Sequence, residues 1–245
     1  MCIRDRLGTA LATLALAALF VAHQRRRTDP IVPTRVLRLR SLSGSSVVRG
    51  LFASGLFASF YVGTLYFQRV LDYGTVASGA AFLPQTLMVA ALAIGPTTWL
   101  VCRFGAHRML VAGLASMSAG LLLLSEIQAG GSYLPIVLVS FLLVGVGGGL
   151  AGAPLMTIAL SEVPAADAGV ASAIINLSMY VPGAIGLAVV GALAAGQTRA
   201  LSDGGQPLTD ALVGGYQLGY LVCAGAVAAG LLVAMSVLRP ARAAA

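Results

Sequence analysis

The chain has no lysine; all 15 of its basic residues are arginine. Chemistry that runs through a lysine amine, a retinal Schiff base included, is therefore excluded. Charge of either sign is scarce: 9% of the 245 residues are charged, where a soluble chain carries roughly a quarter to cover its surface. Three cysteines, Cys2, Cys102 and Cys223, stand far apart without metal or redox spacing, which removes a disulfide framework and leaves inert thiols. Histidine occurs only as His23 and His107, each close to arginines, the setting of a solvated ring rather than a proton relay. No cluster of His, Cys, Asp and Glu lies within an apolar run. An enzyme needs such convergence, so the sequence offers no catalytic centre, no metal site and no call for a cofactor.

What the chain has is hydrophobicity. Hydrophobic residues make up 58% of it, glycine occurs 30 times, and the mean hydropathy is +0.93. A helix needs about 20 apolar residues to cross the hydrocarbon core. Runs of that kind predict spans at Leu7–Ala22, Val47–Phe67, Ser78–Val101, Met109–Ser125, Tyr133–Ala159, Ala168–Ala195 and Leu212–Leu238. The alternating pattern of a barrel strand is missing. The fold class read here is all-α integral membrane, with seven transmembrane helices. The first run is short, at about 16 residues, and Met1–Arg6 ahead of it resembles translated adapter read-through. The hexapeptide is set aside as a non-native leader, and the expectation is a chain that starts inside a larger protein.

Arginine placement gives an orientation, since cytoplasmic loops collect positive charge. The stretch 23–46 holds Arg25, Arg26, Arg27, Arg35, Arg38 and Arg40, and alternate loops put Arg103, Arg108, Arg239 and Arg242 on the same side. The other side receives Arg69 and Arg199, with Asp72, Glu126, Asp203 and Asp210. The C-terminal tail, 239–245, is thus expected in the cytoplasm of a cell (inner) membrane protein. In the linker, Val36, Leu37, Leu39 and Leu42 interleave with arginines that anionic lipid attracts at about 1 kcal/mol each. Membrane lipid, not nucleic acid, is the expected partner.

In the second span Gly50, Ser54, Phe57, Tyr61, Thr64 and Gln68 recur at steps of three and four and share one face. That face suits either a packing seam or a water-accessible cavity. Gln85 and Asn176 lie inside spans, where an amide either glues helices or lines a polar pathway. Gly145/Gly149 and Gly148/Gly152 supply small residues four apart for close helix approach; with no strand ahead of them they are no dinucleotide loop. Tyr66 and Tyr73 are expected in the interfacial aromatic belt, and Asp167 as a cap for the helix that follows it. No acidic residue sits at mid-span.

From Leu7 to about Arg239 these features resemble the major facilitator superfamily, in its fourteen-helix drug:proton antiporter branch (EmrB/QacA type). Tyr61 through Tyr66-Phe67-Gln68 resembles an aromatic stretch of its ninth helix, and Gly79, Leu83 and Pro84 its Gly-x-x-x-Leu-Pro element. Arg103-Phe104-Gly105-Ala106-His107-Arg108 resembles its cytoplasmic gating loop, with Cys102 where that loop has aspartate and Thr98 near its usual glycine. Asp167 through Ser172, with Gly183 and Gly186, resembles the entry to its thirteenth helix, although Pro182 takes a site of small residues. The arginine-rich connection after Pro30 fits the linker ahead of the family's C-terminal bundle.

The resemblance implies that 47–238 forms one six-helix bundle, the last six of the seven spans, built from two inverted three-helix units. It implies the C-terminal part of a proton-coupled multidrug exporter working by alternating access against an N-terminal bundle that the chain lacks. Substrate would meet Phe57, Tyr61, Thr64, Gln68, Gln85 and Asn176, with Arg103, Gly105 and Arg108 gating. The expected substrates are small amphipathic, cationic drug-like compounds, held by stacking and hydrogen bonds. The competing reading is an accessory or self-assembling helical subunit without transport of its own.

Overall fold

The computed structural model describes residues 39–128, 130 and 133–238, with six single positions between 15 and 23. The leader, the tail, and most of the expected first span and arginine-rich linker lie outside the described residues. Among those described, the chain forms α1 (Arg40–Arg69), α2 (Thr75–Ala81), α3 (Leu83–Ala93), α4 (Pro96–Phe104), α5 (Ala106–Leu124), α6 (Leu138–Leu160), α7 (Ala168–Asp203) and α8 (Leu208–Val237), and no strand. A π-helical turn, Tyr133–Val137, leads into α6, and a 3-10 turn, Ala165–Asp167, into α7. Among the described residues, six helical stretches are long and apolar enough to cross a membrane: α1, α2 with α3, α5, Pro135–Leu160, Ala165–Asp203 and α8.

The helices exchange partners between the two halves. α1 packs chiefly on α7 and α8, while α6 packs chiefly on α5 and α3; α8 also lies along α5. The first helix of each three-helix unit is therefore held by the second and third helices of the other, and neither unit closes a core alone. Glycine makes the contacts short: a Cβ on Gly147 would meet Met117 and the Gly113 carbonyl of α5, and one on Gly145 would meet the backbone of Gln85 on α3. Small residues at such spacing let two backbones approach in a setting where lipid offers no hydrophobic drive.

Three expectations are corrected. α1 begins at Arg40, ahead of the expected Val47, although Arg40–Ser46 is polar. Its N-terminus is capped from outside: the Ser41 N–H donates to the Glu162 carboxylate at 3.4 Å, and Arg40 reaches the Ser236 carbonyl in the last turn of α8 at 3.5 Å. A helix end gains from such partners because its first donors have none within the helix. The span expected at Ser78–Val101 is broken twice. Pro84 at the start of α3 separates it from α2, and Gly95-Pro96 separates α3 from α4; a proline ring has no N–H to continue the ladder. Tyr66 is not in an interfacial belt. It is 2% exposed and donates to the Gln128 carbonyl at 3.2 Å.

Tyr66 belongs to an aromatic nest at the end of the bundle remote from the C-terminus. Phe67 stacks on Tyr73 at 5.9 Å and meets Phe82 and Phe141 edge-on at 5.3 and 5.7 Å. Tyr133 donates to the Ala81 carbonyl at 2.8 Å and Gln217 to that of Ile127 at 2.7 Å. This nest joins α1, the α2–α3 break and the start of α6.

Candidate functional site

The polar face of α1 is two things along its length. Its first half is a seam with α7. Gly50 sits against the Pro182 ring, the Ser54 hydroxyl lies 2.9 Å from the carbonyl oxygens of both Gly50 and Pro182, and Gly183 makes room for the Phe57 ring. Pro182 has no N–H to offer the Ser178 carbonyl four residues back, and its own carbonyl oxygen accepts from the Ser54 hydroxyl of the neighbouring helix. Beyond Phe57 the face opens. Tyr61 is 43% exposed, Thr64 donates to the Phe60 carbonyl at 2.7 Å, and Gln68 is exposed.

On the α7 side, Asn176 is exposed, and Tyr180, one turn further on the same face, lies with its ring centroid 6.4 Å from that of Phe57. Phe57 and Tyr180 thus meet on one α1–α7 surface; Asn176 lies one turn nearer the start of α7, and Tyr61 stands against Gly191, further along it. Tyr180 was not among the residues picked out from sequence; its signal was the i, i+4 step from Asn176. Gln85 does not join them. It is wholly buried on α3, its backbone against Gly145 of α6, and neither amide atom finds a protein partner.

The loop residues gather at the other end, where α8 finishes. Gly105 connects α4 and α5 as a single residue at φ 87° and ψ 148°, backbone that only glycine takes without strain. Arg103 leaves the loop to lie over the Trp99 and Phe104 rings at 5.4 and 5.7 Å. Arg108 turns the other way, onto a cavity of about 650 Å³ that Arg40, His107, Ser41 and Glu162 also line. Cys102 is an exposed free thiol. Among the described residues, Glu162, just beyond α6, is the one carboxylate lining this cavity. A carboxylate there opposes the dipole of α6 and instead receives the Ser41 N–H of α1. Asp167 occupies the N-cap position of α7, buried, without a side-chain cap bond.

The surface can hold an amphipathic molecule by aromatic faces and an amide. The described residues contain no group of three or more His, Cys, Asp and Glu able to hold a metal ion. The Major Facilitator Superfamily profile matches residues 7–187. Relatives include a puromycin resistance protein of Streptomyces alboniger, 36% identical over 93% of this chain and 45% of the relative. A tetracenomycin C resistance and export protein of Streptomyces glaucescens is 34% identical over 76% of this chain and 34% of its own length. A cephamycin export protein of Amycolatopsis lactamdurans is 30% identical over 72% and 36%. The chain spans less than half the length of each.

Proposed function

Because this chain belongs to the major facilitator superfamily, we propose that it forms the C-terminal six-helix bundle of a multidrug exporter. The observation that carries this is unequal covering of the helices. Of α7's most apolar membrane-length stretch 17% is buried, and of that in α2–α3 22%, against 56% for α1. These are the second helices of the two three-helix units, and a second bundle docked on them would enclose Tyr61, Tyr180 and Asn176 between two halves. Rocking of the halves about that enclosure gives alternating access. The names of the resistance and export relatives support small antibiotic-like substrates.

The arginine skew supports a C-terminus in the cytoplasm of the inner membrane, which makes the loop at Gly105 the inner gate. Proton coupling is part of the proposal. The described spans place no carboxylate at mid-depth, so the proton-carrying group belongs to the second bundle. A cationic substrate would likewise find its counter-charge there. The complete protein in sealed vesicles, supplied with an amphipathic antibiotic, should produce a substrate-dependent change in lumenal pH. Drug movement that is indifferent to the pH gradient would overturn the coupling, and no movement would overturn the exporter reading.

A further inference from the structure

Where α1 and α7 end and α8 begins, the three helices line a second, open-mouthed cavity of about 220 Å³. Each helix contributes residues four apart: Leu65 and Arg69 from α1, Ala195 and Arg199 from α7, Leu212 and Tyr216 from α8. The two arginines drawn to it are Arg69 and Arg199, and no carboxylate lines it. Tyr216 is 3% exposed, and its hydroxyl faces the Arg69 guanidinium, with Tyr61 beside them. Two exposed guanidiniums at the mouth of one mostly apolar cavity, with no carboxylate among its described lining, make a local positive field that attracts an anion. Arginines that only reached out from helix ends to the headgroup layer would have no need of a shared cavity.

We propose that this cavity binds an oxyanion head, a phosphate or carboxylate, carried on a short apolar stem. The guanidiniums of Arg69 and Arg199 take the oxygens by charge-assisted hydrogen bonds, the Tyr216 hydroxyl donates a third, and Leu65 and Leu212 receive the stem. The ligand is either an anionic lipid or a soluble amphiphile with the same head. This site does not rest on the exporter reading.

The test is saturable binding of hexyl phosphate to the purified chain in neutral detergent, with hexyltrimethylammonium as the cationic control. Arg69→Gln and Arg199→Gln should each weaken hexyl phosphate binding about tenfold or more. Tyr216→Phe should weaken it by a smaller factor, and Arg199→Lys should retain part of it. Unchanged affinity in Arg199→Gln and Tyr216→Phe proteins that keep their thermal unfolding transition would overturn the proposal, as would equal binding of the cation. Repeating the titration in phosphatidylcholine and in phosphatidylglycerol nanodiscs separates the sources. Loss of hexyl phosphate binding only in phosphatidylglycerol identifies the lipid as occupant, and binding that persists in both identifies a solute.

Discussion

The Ser54 hydroxyl reaches the carbonyl oxygen of Pro182 at 2.9 Å, across the line where α1 and α7 meet most closely. A Cβ on Gly186 would collide with Ser54 itself. Gly186→Val should therefore cost about 1–3 kcal/mol, read as a lowered unfolding temperature in detergent. Ser54→Ala should cost about 0.6 kcal/mol, the usual worth of a hydrogen bond between membrane helices. Gly196→Val, on the same helix with nothing near it, should leave the transition in place. Equal effects at Gly186 and Gly196 would show that the seam is not there.

Gly105 and Gly74 both have open space where a Cβ would go, but only Gly105 has a positive φ. Gly105→Ala should destabilise by about 1–3 kcal/mol through backbone strain alone, and Gly74→Ala should change little. Thermal unfolding of the two variants side by side checks it.

Hydropathy made the spans legible, because twenty apolar residues in a row have few other uses. The start of α1 was not legible. Its cap, Glu162, lies far along the chain, and nothing in Arg40–Ser46 announces it. The break at Gly95-Pro96 stood in the sequence but was overridden by the apolar run around it. The stripe from Gly50 to Gln68 was correctly seen as one face. Small and hydroxyl residues serve a packing seam and a wet surface equally well, so the change from one to the other at Phe57 needed the position of α7. Gln85 and Asn176 look alike in sequence, each an amide in a second helix. They differ in burial because Gly145 brings α6 against one, while nothing in the described chain covers the other.

Cys102 is exposed and Cys223 is 1% exposed. In a Cys2→Ser background, a maleimide should label one thiol in the native protein and a second only after denaturation. Two labelled thiols without denaturant would contradict the packing of α8.

Tyr61→Ala in the full-length protein should alter the spectrum of drugs resisted while leaving expression intact. Loss of an aromatic contact worth about 1 kcal/mol predicts a shift of roughly fivefold for drugs that touch it. Inhibitory concentrations across a panel of amphipathic antibiotics measure this, and an identical panel would remove Tyr61 from the substrate surface.

The most direct measurement places a single cysteine at Tyr180 of the full-length protein and follows its reaction with a membrane-impermeant reagent added to either side. Reaction from both sides, with substrate shifting the balance between them, is the result expected of a residue enclosed between two rocking halves. Reaction from neither side, with or without substrate, would mean that α7 turns this face to lipid, contradicting the account.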